Sequence, residues 1–530
     1  MEKQAATTHS ALVRWLFPSI KDILFLGYLL GPSLVNESAV LNDGDTGWHI
    51  RNGETILRTW KFPHVDYFSY THEGKPWFAW EWLSDVFMAI VHRYLGLNGI
   101  VLWANLTFAL VFTLLFWWML REDQNLLVAL LLSRLAGYAA AVHWLARPHL
   151  FTLLFFLIWS MLLDKIQERG PIDKSLLSKT RWIMPPLMLL WVNLHGGFVV
   201  GLILLLIYAF GNFLTSLTSA NQQIAEKSRR LARYFALMAV ICLIFTIANP
   251  YGLNVYKHIF DSYLRSQYIV DRISEFGSPD FHTSVVKFFE LLVVFGIVIL
   301  GISYRRLNII ECGLILFWTH MALFSARHIP LYTLMIVPTL TRHLSNYCTS
   351  LVDEPKVQNW VAKLAGNFNR YSGNLLKFEN QFKGQLYPAL ASLILIGVCL
   401  NHGNLAGKKL LNAGFDTKQF PVKATQFIED DMPAGNIFTT DYWGGYLIYR
   451  FHPKIKVFFD GRSDMYGREL LKEYESLTNL EYSWKEVLSK YQVRWILLPV
   501  NFGLATALKE LSEWQVVYDD HQAIIFVRKK

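Results

Sequence analysis

The sequence predicts a multi-span α-helical membrane protein, with about 11 transmembrane helices and a small C-terminal extracytoplasmic α/β domain. Three observations predict it. Of 530 residues, 53% are hydrophobic and 15% aromatic against 17% charged, which is too apolar for a soluble chain of this length. Apolar runs near membrane-spanning length recur from the N terminus to about residue 400. Beyond that point, short apolar segments alternate with helix-compatible stretches, the pattern of a small α/β unit.

The runs fall at roughly 15–35, 98–120, 125–145, 149–164, 182–194, 197–217, 232–249, 286–302, 309–326, 328–341 and 384–400. Runs 182–194 and 328–341 are the shortest, which implies tilted helices, extension into polar sequence, or half-helices buried in protein. The first run reads as a retained helix, because no small-residue cleavage pattern follows it. The formal charge of +9 collects in the connections. With the N terminus cytoplasmic, one inner loop holds Lys165, Arg169, Lys174, Lys179 and Arg181, and the next Lys227, Arg229, Arg230 and Arg233. Arg305 with Arg306, and the basic stretch from Arg342 to Lys383, follow on the same side. That bias accounts for the charge without nucleic acid. It also places residues 36–97 and 401–530 outside the membrane. Cys242, Cys312, Cys348 and Cys399 suggest neither a disulfide framework nor a metal cluster.

Two units follow: residues 1–400 form the transmembrane domain, including the first extracytoplasmic loop 36–97, and residues 401–530 the extracytoplasmic α/β domain. The loop opens on Asp43-Gly44-Asp45-Thr46-Gly47-Trp48-His49, two carboxylates and a histidine beside a membrane surface. It also carries Glu81, and Trp77, Trp80 and Trp82 suit an interfacial belt. In the later unit, Asn436–Thr440, Lys456–Phe459, Arg494–Pro499, Gln515–Tyr518 and Ala523–Val527 read as strands. Stretches near 422–430, 467–475, 484–490 and 502–511 read as helices. Gly444 and Gly445 suit a turn or a close approach to a ligand, without the spacing of a phosphate loop or dinucleotide fingerprint.

At the outer ends of the spans the polar residues converge. His143, Arg147 and His149 surround one turn, Asn193 and His195 a second beside Gly196 and Gly197, and His320, Arg327 and His328 a third. Charge near hydrocarbon is costly unless hydrated or paired, so these groups are candidates to bind an anionic lipid phosphate. Snorkelling arginines and a histidine satisfying a broken helix are the structural alternatives. Asp43 in a turn and Glu81 in an ion pair are the corresponding alternatives for the loop. A mechanism suits the placement. Asp45 acts as base or orienting group for an incoming hydroxyl that attacks an anomeric carbon, and Asp43, Glu81 or His49 positions it. The basic groups stabilise the departing lipid phosphate, and a single attack implies inversion.

On these features the chain resembles the GT-C superfamily of polyprenyl-phosphate-dependent membrane glycosyltransferases. That group includes protein O-mannosyltransferases, aminoarabinose transferases and oligosaccharyltransferases. Asp45, with Asp43 beside it, matches the essential acidic residue of their first extracytoplasmic loop, and Glu81 a second acidic residue of the O-mannosyltransferase-like branch. The whole chain looks like a bacterial branch that adds a terminal Trp443-Gly444-Gly445-Tyr446 and Asp460-Gly461-Arg462. The resemblance implies transfer of a sugar from a polyprenyl-phosphate-linked donor to an envelope glycan, lipid or protein acceptor at the outer face of the bacterial cytoplasmic (inner) membrane. Some members use a divalent metal, for which Asp43, Asp45 and Glu81 are the first ligand candidates. Two other readings stay open: a lipid-linked glycan transporter, from the interrupted helix around Pro185, Pro186 and Asn193–Gly197, and a non-catalytic envelope polysaccharide assembly factor.

Overall fold

A computed structural model describes residues 11–35, 38–121, 124–170, 173–264, 268, 271–303, 307–354, 357–382 and 384–529. Each apolar run overlaps a helix there, yet the expectation of about 11 membrane-crossing helices is overturned. Among the described residues, five helices are long and apolar enough to cross a membrane: Trp82–Met119, Leu126–His143, His149–Arg169, Phe198–Thr218 and Val286–Ser303. A sixth is reached by joining Asn359–Gln381 to Leu386–Leu400 across a bend of 61°.

The remaining helices fall short for two physical reasons. Ile20–Val35 and Ile309–Phe324 have 16 residues each, and such a helix extends about 24 Å against a hydrocarbon core of about 30 Å. Lys174–Leu194 and Gln222–Phe245 begin in charged turns, with Lys179 and Arg181 in the first and Lys227, Arg229, Arg230 and Arg233 in the second. Ile329–Asp353 carries Arg342 and His343 in its body. Charge at hydrocarbon depth is expensive, so an apolar half does not make a full span. Of the orienting charges, Arg305, Arg306 and Lys383 lie outside the described residues.

Local chemistry sets where the helices start. Asn125 accepts the amides of Leu127 and Val128, Asp173 that of Leu176, and Asn221 those of Gln223 and Ile224. Asn308 and Glu311 form a reciprocal capping box. The 38-residue Trp82–Met119 helix bends at Gly96, whose φ of 63° suits glycine. Its Phe108, Phe112 and Phe116 are fully buried in one core with Phe156, Trp159, Trp191 and Phe198.

The C-terminal part holds a four-stranded sheet ordered Asn436–Phe438, Val493–Pro499, Ala523–Arg528, Trp514–Asp519. The first pair is parallel and the other two are antiparallel. Alternation along Val493–Pro499 feeds two cores: Trp495 and Leu497 pack with Ile428 and Leu447, while Ile496 and Leu498 pack with Leu470 and Leu504. Lys456–Phe459 is not a strand of this sheet, since Val457 forms an isolated parallel bridge with Ser69 of the first loop. Nor do Gly444 and Gly445 make a turn. They lie in the Asp441–Phe451 helix, capped by Thr440, which packs on the Asp45–Thr59 helix. A Cβ on Gly445 would overlap the Gly44 carbonyl, and one on Gly44 the Tyr442 carbonyl. Glycine lets the two backbones meet, and that contact brings the C-terminal part over the first-loop carboxylates.

Candidate active site

A cavity of about 970 Å³ opens where the first loop, the helix ends and the C-terminal part meet. It gathers Asp43, Asp45, His49 and Glu81 with His143, Arg147, His149, His195, Arg327 and His328, ten of the twelve residues selected from the sequence. The other two are elsewhere. Asn193 is a structural bracket: its Oδ1 accepts Trp82 Nε1 at 2.8 Å, and its amide donates to the Leu189 and Ala248 carbonyls. His320 is exposed and stacks on Phe324. Trp77 does not belong to an interfacial belt, for it is buried with the Arg462 guanidinium 4.5 Å from its ring centre.

Asp43 and Asp45 are organised by one guanidinium. Asp43 Oδ1 accepts the Asp45 amide at 2.8 Å in an Asx turn, which starts the helix and brings the side chains together. The Oδ2 atoms of Asp43 and Asp45 each lie 3.0 Å from Arg147, and Glu275 Oε2 lies 3.4 Å from it. Asp45 Oδ1 accepts Trp48 Nε1 at 3.0 Å. Burial pushes Asp45 up to about 6, with Arg147 pulling down and Asp43 pushing up. Burial also raises Glu275, but Arg147 and Arg327 outweigh it and leave that carboxylate at about 2. Gly461 closes the wall behind Asp45: a Cβ there would overlap the Asp45 carboxylate.

A second network surrounds Glu81. His49 Nδ1 lies 2.6 Å from Asp85 Oδ1, so a neutral His49 donates there and leaves Nε2 facing Glu81 Oε2 at 3.7 Å. The other oxygen of Asp85 accepts the Asn52 amide. His195 Nδ1 accepts the Gly197 amide at 2.9 Å, with Thr152 Oγ1 at 2.8 Å, which places its proton on Nε2, 3.3 Å from Glu81 Oε1. Burial pushes His49 down to about 3 and Glu81 up to about 8, the latter assisted by Asp85. Glu81 is thus a protonated acid between two neutral imidazoles at neutral pH.

The remaining wall carries buried polar groups. His149 Nε2 pairs with the His143 carbonyl at 3.0 Å, which leaves Nδ1 as an acceptor with no donor among the described residues. The buried Trp318 Nε1 is a donor with no acceptor among the described residues. Arg327 stacks over Phe276 at 4.4 Å and, among the described residues, makes no ion pair.

Sequence reading missed Asp85, Thr152 and Glu275. Asp85 carried a signal, as an acid four residues after Glu81 at the head of an apolar helix, where i and i+4 share a face. Glu275 carried none, since its role depends on a long connection returning to Arg147. Gly461 and Arg462 were noticed, but their contact with the first loop follows from tertiary structure alone.

The residues fit a guanidinium better than a divalent cation. Asp43 and Asp45 share Arg147, whereas the contacts of Glu81 are His49 and His195. A dication seated on both aspartates would face that half-buried guanidinium at a cost of about 8 kcal/mol, at 4 Å and an effective dielectric of about 20. Among the described residues no group of three His, Cys, Asp or Glu has metal-holding geometry.

Helix length and apolarity define a multi-pass membrane protein. Among solved structures, the archaeal oligosaccharyltransferase AglB from Archaeoglobus fulgidus, in complex with an inhibitory peptide and a dolichol-phosphate, is similar over 96% of this chain and 74% of its own. The TM-score is 0.56 at 11% sequence identity, a likeness of fold. No family model and no curated protein sequence matches the chain.

Proposed function

We propose that the protein transfers a sugar from a polyprenyl-phosphate-linked donor to a hydroxyl of an envelope glycan, lipid or protein acceptor, with inversion at the anomeric carbon. The observation that carries this reading is the single cavity holding together the Asp45–Arg147 pair, the protonated Glu81 and Arg327, which makes no ion pair among the described residues. The fold likeness to AglB, whose structure holds a dolichol-phosphate, supports a lipid-phosphate donor.

In this mechanism Arg327 holds the donor phosphate, and Arg147 fixes Asp45 against the Gly461 wall. Asp45 takes the proton of the acceptor hydroxyl as its oxygen bonds to the anomeric carbon. The bond from that carbon to the phosphate oxygen breaks, and its electron pair leaves on the polyprenyl phosphate, stabilised by Arg327. His149 Nδ1 and Trp318 Nε1 offer an acceptor and a donor to sugar hydroxyls. Orientation completes the reading: the cavity faces outside, at the surface of a bacterial cytoplasmic membrane.

The test is transfer in proteoliposomes from a panel of radiolabelled polyprenyl-linked sugars to fractionated envelope acceptors. Asp45→Asn is expected to lower kcat by about 10²–10⁴, the usual worth of a general base. The anomeric configuration of the product is expected to be opposite to that of the donor. Full activity in the variant would remove Asp45 from the chemistry. A retained configuration would rule out the single displacement.

A further inference from the structure

The Asn359–Gln381 helix lies at the end of the bundle away from the cavity. Asn125 donates its side-chain amide to Asn369 Oδ1 at 3.1 Å, and the Leu126 amide donates to Ser372 Oγ at 2.8 Å. These contacts are at the start of the Leu126–His143 helix, whose other end, His143, is in the cavity wall. The helix is built on a repeat of three adjacent residues every seven positions. Ala365, Ser372 and Glu379 are buried against the bundle. Leu364, Tyr371 and Phe378, each one residue earlier, are exposed at 63%, 61% and 45%, and Trp360 joins their stripe at 64%. Lys363, Arg370 and Lys377, one residue earlier again, are exposed beside them.

Seven residues make nearly two helical turns, so each set forms a column along the axis. The one carboxylate of this helix, Glu379, is buried, pairs with Lys21 at 3.2 Å and accepts the Ile20 amide at 2.6 Å. Among the described residues the three basic side chains form no ion pair. The outward surface is therefore an apolar stripe flanked by an uncompensated column of cations. A crossing helix would bury those cations in hydrocarbon, and a solvated helix would expose four large apolar side chains in water. Both costs vanish if the helix lies along the bilayer surface. The 61° bend into the apolar Leu386–Leu400 helix suits that placement.

We infer that Asn359–Gln381 is an interfacial helix that binds anionic phospholipid on the membrane face opposite the cavity. Trp360, Leu364, Tyr371 and Phe378 enter the acyl boundary, and Lys363, Arg370 and Lys377 reach lipid phosphates. Charge complementarity selects acidic over zwitterionic headgroups, and the column is long enough to engage several lipids at once.

The full-length protein in nanodiscs of phosphatidylcholine, with or without phosphatidylglycerol, tests this. A water-soluble amine reagent is applied at low ionic strength, and modification of Lys363 and Lys377 is followed by peptide mass spectrometry, with the exposed Lys418 as internal reference. Phosphatidylglycerol is expected to slow Lys363 and Lys377 by about fivefold, the factor equivalent to about 1 kcal/mol per basic residue near an anionic surface, and salt is expected to restore the rate. Equal rates in the two lipids would overturn the inference. So would protection seen in native membranes but absent from phosphatidylglycerol nanodiscs, which would assign the face to a protein partner.

Discussion

Asp45 keeps an ion pair with Arg147 while Glu81 sits between two neutral imidazoles, so burial acts on them unequally. At neutral pH the first is ionised and suited to accept a proton, and the second is neutral. The signs follow directly. A base must be deprotonated, so kcat/KM should rise with pH through about 6 as Asp45 ionises. Above about 8, Glu81 ionises and would place a negative charge beside the proposed anionic donor, so activity should fall. Glu81→Gln keeps that position neutral. Its pH profile is expected to retain the acid limb and lose the alkaline one, with a rate within about tenfold of the unmodified protein. An alkaline limb unchanged in the variant would show that another group produces it.

Between elements, the Asp441–Phe451 and Asp45–Thr59 helices meet through Gly44, Gly47 and Gly445. Gly445→Ala is expected to cost about 1–3 kcal/mol by overpacking and to lower the thermal midpoint in detergent. Gly397→Ala, in a helix where an added Cβ meets nothing within 4 Å, is the control and should leave the midpoint unchanged or raise it. Equal midpoints for both would remove steric fit as the reason for glycine at 445. The same elements show what was legible beforehand. Apolar runs located the helices because burial needs a hydrophobic face, but a run does not reveal whether its charged turns lie inside the same helix, as Arg229 and Arg233 do in Gln222–Phe245. Alternation located the Val493–Pro499 and Ala523–Arg528 strands. It misread Lys456–Phe459, whose apolar residues pack between the two cores while Val457 bonds to the first loop. Asp45, Glu81 and Arg147 stood out as charges near an apolar boundary. Glu275 did not, because only folding brings it to Arg147.

At the scale of the molecule, the first loop and the C-terminal part share one core, in which Trp48, Phe68 and Trp77 pack with Phe420, Ile437, Trp443 and Val457. The backbone stitches them as well: Val457 donates to the Phe68 carbonyl at 3.0 Å and Tyr70 to the Val457 carbonyl at 3.1 Å. Arg462 clamps the joint from inside, with Asp460 at 2.6 Å and Asp66 of the loop at 2.9 Å, all three buried. Losing one partner of a buried cluster leaves an uncompensated charge, at a cost of about 3–5 kcal/mol. Separation of the two parts should therefore be strongly opposed even without a covalent link. The exposed hairpin of Asn404–Leu405 and Lys408–Lys409 offers a place to cut, between Ala406 and Gly407. A protease site inserted there and cleaved in detergent should yield two fragments that co-elute. The nicked protein should also retain the proposed sugar transfer, because Gly461 still backs Asp45. Dissociation on size exclusion would mean that the linker, rather than the shared core, holds the roof over the cavity. Co-elution with loss of transfer would mean that the core survives while the Asp45 wall shifts, a difference that the Asp45-dependent acid limb of the pH profile would register.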